Sequence, residues 1–174
     1  YYKNETDTRE VLKDGWLHTG DIGRIDEDGF LTITDRKKDI IVTSGGKNIA
    51  PQPIESLIQA SPLIASAVVV GSSRKFISAL IVPDFEKVEA FAKAHGIAFK
   101  DRTDLSRRPE IADFLLDEVN RMTPALASYE RVKRIAVLDR EFDLEMGEVP
   151  PTLKVRRNIV ERKYAGIIES LYRD

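Results

Sequence analysis

The sequence contains no cysteine, which removes disulfide staples, thiolate zinc sites and cysteine nucleophiles from consideration. That absence also fits a protein of the cytoplasm. No apolar run approaches the roughly 20 residues that a helix needs to span a bilayer, and no secretory leader is visible. An excess of one sign of charge is missing too: 27 Lys and Arg against 29 Asp and Glu leave a net charge of −2. A nucleic-acid-binding domain would be clearly basic, so no nucleic acid is expected among the partners. A Walker loop, which needs Gly, four residues and then Gly-Lys-Ser/Thr, is absent, as are internal repeats and low-complexity tracts. The chain opens YYKNETDTRE without an initiator Met, so we expect it to be a fragment with further chain upstream.

What is present is an ordinary globular composition, 42% hydrophobic and 32% charged over 174 residues, enough for one sizeable core or two small ones. GWLHTGD, residues 15–21, reads as a loop, and IGRIDEDGFLTIT as a β-hairpin turning at DEDG. DRKKD, residues 35–39, is too polar for a buried strand; Ile40–Val42 makes a short one, turned by Ser44-Gly45-Gly46. Pro51 and Pro53 open a helix on which Ile54, Leu57 and Ile58 recur at helical spacing. IASAVVVGSSRKFISALIV is the clearest hairpin, followed by helices over 84–95 and about 109–121, each with one apolar face. Val132–Leu138 reads as a strand, EFDLEMGEVPPTLK as an irregular loop and Ile159–Leu171 as a final helix. The expected fold class is α+β: a small domain with a short mixed or antiparallel sheet flanked by helices, preceded by a β-hairpin stub. A lone hairpin is marginal in water, so the stub is expected to belong to a larger body and to be poorly ordered, or to lean on a neighbour through Ile22, Ile25, Phe30 and Ile33.

Several residues could carry chemistry, and each has a plainer reading beside it. Asp21 could accept two ribose hydroxyls, although a turn-capping aspartate is the better reading of it alone. His18 has no triad partner and reads as structural. Arg36, Lys37 and Lys38 could be a solvated turn, but Arg36 suits a bidentate grip on phosphate or ribose oxygens. Ser44-Gly45-Gly46 can bring backbone N–H groups close to a ligand, or simply turn a hairpin. Lys154 follows two stiffening prolines in PPTLKVRRN and could offset charge that grows in a transition state. Arg156 and Arg157 oppose the dipole of the helix they open, which points to a visiting anion.

Taken in order, the run GWLHTGDIGRIDEDGFLTITDRKKDIIVTSGGKNIAPQPIE, residues 15–55, with the later PTLKVRR, resembles the hallmark motifs of the adenylate-forming superfamily. That superfamily includes acyl-CoA synthetases, luciferases and peptide-synthetase adenylation domains. The resemblance implies a large N-terminal domain, beyond these residues, that binds ATP and the carboxylate, and a small mobile C-terminal domain that closes over it. Asp21 matches the ribose-binding aspartate and Arg36 the arginine at ribose and phosphate. Lys38 matches the hinge position, and Lys154 the lysine that bridges carboxylate and α-phosphate during adenylation. Ser44, Gly45, Gly46 and Lys47 match the loop that swings in for thioester formation with CoA. The implied organisation is residues 1–35 as the end of the large domain, 36–39 as hinge, and 40–174 as the mobile domain with a helical insertion at about 84–127.

Leu153 precedes Lys154 where many relatives have Gly, and this departure together with the long insertion resembles the long-chain fatty acyl-CoA synthetase branch. The implied activity is ligation of a fatty acid to CoA through acyl-AMP, with ATP and Mg2+ held mainly by the N-terminal domain. No metal ligand is expected in these residues, and the fragment alone should be inactive. The implied partners are the N-terminal domain, ATP, fatty acid and CoA, in the cytoplasm, with peripheral attachment of the parent to the inner membrane face as an option. The competing readings are a non-catalytic binding or regulatory module that kept the fold, and a ligase for an aryl or bile-acid carboxylate.

Overall fold

The structure, a computed structural model, describes residues 2–149 and 155–173, so Lys154 lies outside the described residues. The chain divides into two compact units, Tyr1–Ile40 and Ile41–Asp174.

In the first unit, α1 (Glu5–Val11) leads into β1 (Leu12–Lys13), which pairs with β2 (Trp16–Leu17). Of these, only β2 falls within residues 15–21, the stretch expected to be a loop. The turn between the two strands is Asp14-Gly15, both at positive φ (51° and 81°), the backbone that matches the twist of a two-residue hairpin. Helix α1 starts where the Asn4 side chain accepts the Asp7 N–H at 3.1 Å, satisfying one orphan donor. β3 (Asp21–Ile25) and β4 (Leu31–Arg36) form the expected hairpin. Its turn is organised by Asp26, whose carboxylate accepts the N–H groups of Asp28 and Phe30. β4 runs on into the polar stretch, and Asp35 is buried there, its carboxylate accepting the Arg36 N–H at 2.6 Å. A single 3₁₀ turn, Lys37–Asp39, closes the unit.

In the second unit, β5 (Ile41–Val42) pairs with β6 (Asn48–Ile49), and α2 (Pro51–Gln59) follows with Pro in its first turn. The centre is a three-stranded sheet in the order β7 (Ile64–Val70), β8 (Ser78–Pro83), β9 (Arg134–Val137). β7 and β8 are antiparallel, while β9 lies parallel to β8. A parallel neighbour needs a crossover connection, supplied here by α3 (Phe85–Ala94), α4 (Arg102–Ser106) and α5 (Pro109–Met122). The region 84–127 is therefore what lets the sheet be mixed.

Alternation along the strands builds two cores. Ala67, Val69, Ala79 and Ile81 face one side, with Ile54 and Ile58 of α2, Val88 and Ala92 of α3, and Ile111, Leu115 and Val119 of α5. Val68, Val70, Leu80 and Val82 face the other side, with Phe85, Leu138, Val160 and Leu171. Burial on both faces is why these strands read as unbroken apolar runs rather than as alternating ones.

The expected final helix is two: α6 (Arg157–Lys163) and α7 (Ala165–Ser170). The break falls at Tyr164, with φ −97° and ψ 17°. Its ring packs edge-on to Phe142, with ring centres 6.2 Å apart, and lies under the Arg140 guanidinium. A ring drawn into these contacts holds its backbone away from helical values.

Candidate functional site

Asp21 and Arg36 are direct cross-strand partners in the first unit, 15 residues apart in sequence. Arg36 Nε lies 3.4 Å from Asp21 Oδ1, and the Arg36 side chain is about half exposed. Strand parity alone would keep them apart. Ile25 faces Leu31 and Gly23 faces Ile33, so odd residues of β3 share a face with odd residues of β4. After Gly23 the register shifts: Ile22 pairs with Asp35 and Asp21 with Arg36, leaving Thr34 as the extra residue of a β-bulge. That one residue inverts the parity and brings Arg36 onto the face of Asp21. Thr34 Oγ1 donates to the Ile22 carbonyl across the bulge at 3.2 Å, and the Lys37 N–H donates to the Gly20 carbonyl at 2.7 Å just beyond it.

Gly23 makes this close approach possible. A Cβ there would sit 2.8 Å from the Thr32 carbonyl oxygen and 3.1 Å from Leu31 Cδ1. Gly23→Ala is expected to weaken the hairpin by about 1–3 kcal/mol, the usual cost of overpacking. Amide hydrogen exchange checks this: β3 and β4 amides should exchange at least about fivefold faster, while those of β7 and β8 keep their protection. Unchanged protection in β3 and β4 would contradict it.

Lys38 sits in the 3₁₀ turn with its side chain exposed. The Ser44–Lys47 loop lies in the second unit. The Thr43 hydroxyl accepts the Lys47 N–H at 3.1 Å, and the Gly46 N–H donates to the Thr43 carbonyl at 2.9 Å. The Ser44 N–H donates to the Arg74 carbonyl, and the Ser73 N–H to the Val42 carbonyl, tying the loop to the β7–β8 turn. Lys47 Nζ stands 5.3 Å from the centre of the Tyr129 ring, within cation–π range. Gly46 needs its φ of +73°, but Gly45 has no such conformation. A Cβ on Gly45 would meet nothing nearer than Thr43 Oγ1 at 4.0 Å. Nothing within the unit's own packing asks for glycine at 45.

The flanks of Lys154 are the third assembly. Arg157, at the start of α6, reaches Glu55 of α2 at 2.6 Å and also donates to the Val69 carbonyl. Glu55 in turn accepts the Val69 N–H at 2.7 Å. The anion that Arg157 calls for is thus Glu55 of this same chain, which corrects the expectation of a visiting one at that residue. Glu148 was missed in the sequence. It is completely buried, and its carboxylate accepts both Arg140 guanidinium nitrogens at 2.7 and 2.8 Å, the Asp143 N–H at 2.8 Å and Lys163 Nζ at 3.3 Å. The Arg140 hydrogen bonds outweigh the opposing effect of burial and hold its pKa down at about 2. A carboxyl depressed in this way stabilises the folded state above its ordinary pKa, and that contribution is lost as pH falls through about 2. Burial pushes the neighbouring Tyr164 phenol up to about 12. The only sequence signal for Glu148 was a carboxylate between two separated cations, which fits many solvated loops equally well.

The chain belongs to the family of AMP-binding enzymes, as their C-terminal domain: the family model described as AMP-binding enzyme C-terminal domain matches residues 38–174. It is 43% identical to the long-chain-fatty-acid–CoA ligase FadD15 of Mycobacterium tuberculosis, over 99% of this chain and 29% of the relative. It is 36% identical to the human long-chain-fatty-acid–CoA ligase ACSBG1, over all of this chain and 27% of the relative. Among solved structures, the A domain of a carboxylic acid reductase from Segniliparus rugosus, in complex with AMP and a co-purified carboxylic acid, superposes with a TM-score of 0.81. That match has 26% identity and covers 99% of this chain and 26% of the other. The chain thus spans less than a third of the length of these ligases.

Proposed function

We propose that these residues are the C-terminal part of an ATP-dependent long-chain fatty acid–CoA ligase working in two half-reactions. In the first, a carboxylate oxygen attacks the α-phosphorus of ATP, pyrophosphate leaves, and acyl-AMP forms. In the second, the CoA thiol attacks the acyl carbonyl and AMP departs. The observation that carries the reading is the Asp21–Arg36 pair, set face to face by the Thr34 bulge. A carboxylate offers two acceptor oxygens to the two hydroxyls of a ribose, and a guanidinium beside it offers a fork of donors to the ribose and phosphate oxygens. Lys154 offsets the charge shared by the substrate carboxylate and the α-phosphate. The Ser44–Lys47 loop serves the thioester step, and the open space at Gly45 admits the approach of the CoA arm.

In this reading residues 1–35 belong to the large domain, 36–39 form the hinge with Lys38 at its pivot, and 40–174 move as a body. Turning that body exchanges Lys154 for the Gly45 loop at one site, so two sets of groups serve one substrate in turn. Ile25, Phe30 and Ile33 are 72, 70 and 55% exposed in the first unit, an apolar surface suited to burial against the rest of a large domain. Among the described residues there is no group of three or more His, Asp or Glu side chains that could hold a metal ion. No helix among the described residues is long and apolar enough to cross a membrane.

The test is Asp21→Ala in the full-length ligase. The KM for ATP is expected to rise at least about tenfold, the cost of one or two lost hydrogen bonds from a charged acceptor. The KM for fatty acid and the melting temperature should stay near wild type, since the carboxylate stands at the surface of a hairpin. An unchanged KM for ATP would contradict the nucleotide role.

A further inference from the structure

Among the described residues of the second unit, five cations stand over aromatic rings, and four of them also meet an oxygen partner. Arg74 lies over Tyr172 and pairs with Glu169, and Arg140 lies over Tyr164 and pairs with Glu148. Arg102 lies over Phe85 with Glu89 at 3.7 Å, and Arg134 lies over Phe76 while donating to the Leu171 and Arg173 carbonyls. Lys47 is the exception. Its Nζ stands 5.3 Å from the centre of the Tyr129 ring, and among the described residues no ion pair or hydrogen bond holds the ammonium.

Both partners stand at the surface on backbone that is firmly held. The Lys47 N–H donates to the Thr43 hydroxyl, and the Lys47 carbonyl accepts the Thr43 N–H at 3.0 Å. Tyr129, 43% exposed, lies in the turn 127–130, closed by the Glu130 N–H on the Ala127 carbonyl at 2.9 Å. The Glu130 carboxylate accepts the Ala127 N–H at 3.2 Å, the Arg131 guanidinium donates to the Pro124 and Leu126 carbonyls, and Val132 is buried just beyond. The turn therefore presents its ring in one place.

A carboxylate and a ring hold an ammonium in different ways. A carboxylate cancels the charge, whereas a ring attracts it through a quadrupole and leaves the full charge for an anion. The ring also narrows the conformations open to a long side chain, so less freedom is lost when the anion arrives. CoA carries phosphate groups, and Lys47 belongs to the loop assigned above to the thioester step. We propose that Tyr129 is a positioning residue for that step, holding the Lys47 ammonium, its charge intact, for a phosphate of CoA. This rests on the ligase reading and extends it to a residue outside the motifs.

The experiment measures the KM for CoA in thioester formation from preformed acyl-adenylate, using the full-length protein. Wild type is compared with Tyr129→Leu, Tyr129→Phe, Lys47→Met and the Lys47→Met, Tyr129→Leu double variant. Lys47→Met is expected to raise this KM at least about fivefold, the loss of one charged contact. Tyr129→Leu should raise it about threefold, the size of an exposed cation–π contact, and Tyr129→Phe, which keeps the ring, should restore it. In the Lys47→Met background Tyr129→Leu should add nothing, because the ring acts through the lysine. ATP–pyrophosphate exchange and the melting temperature should stay near wild type throughout. An equal rise with and without Lys47, a rise in Tyr129→Phe matching that in Tyr129→Leu, or an unchanged KM in Tyr129→Leu or Lys47→Met would overturn the proposal. Loss of the fold in Tyr129→Leu would assign the ring to packing and overturn it too. Absence of thioester product in the wild type would overturn the ligase reading, and the proposal with it, and that control separates the two failures.

Discussion

On the proposed function, Lys154→Ala in the full-length protein is expected to lower ATP–pyrophosphate exchange by about 100-fold or more, while thioester formation from preformed acyl-adenylate stays within about twofold. A lone cation at the reacting oxygens is worth roughly 3–4 kcal/mol of transition-state stabilisation when water is excluded, and each 1.36 kcal/mol is a factor of ten in rate. Just beyond Lys154, Val155 packs into the second core cluster, the Arg156 N–H donates to the Glu148 carbonyl and Arg157 is tied to Glu55. The asymmetry between half-reactions follows from the chemistry. Negative charge gathers on the α-phosphate and the attacking carboxylate only while acyl-AMP forms. If Lys154→Ala lowered both half-reactions alike, the lysine would be serving the fold or both steps, and alternation would lose its main support.

Gly45→Val is expected to give the mirror image: thioester formation reduced at least about 30-fold, exchange within about twofold, and an unchanged melting temperature. Within its own unit a Cβ at 45 meets nothing nearer than Thr43 Oγ1 at 4.0 Å. The loop is pinned from within by Thr43 and from outside by the Arg74 carbonyl, so it would keep its shape. An isopropyl group would then project where, in this account, the CoA arm must pass. A stable variant with normal thioester formation would show that the open space is unused. Gly46 is unsuited to the same test, because its φ of +73° makes any substitution a change of backbone.

How much of this could be read beforehand varied with the kind of signal. The β7–β8 hairpin, α2, α3 and α5 were legible because long apolar runs and helical spacing are local properties. Local signals were also passed over: the Asp14-Gly15 turn joining β1 to β2, and the Asn4 cap of α1. The break at Tyr164 was not legible, since it depends on Phe142 and Arg140, which lie more than twenty positions away. The Thr34 bulge is the instructive case. Nothing in FLTITDR marks Thr34 as the extra residue, yet without it Arg36 would face away from Asp21. Motif likeness found the two residues; only the register explains why they share a face. Glu148 was hidden for a related reason. A carboxylate is usually solvated, and its burial becomes visible only when Arg140, Asp143 and Lys163 close around it.

The most direct test of the central claim is to assay pyrophosphate exchange and CoA-thioester formation separately, in the wild-type full-length protein, over saturated fatty acids of increasing chain length. The account predicts exchange that depends on the fatty acid and rises towards long chains, with thioester product appearing only when CoA is added. Exchange with no carboxylate of any length would contradict it and would leave these motifs as a retained scaffold with a binding role.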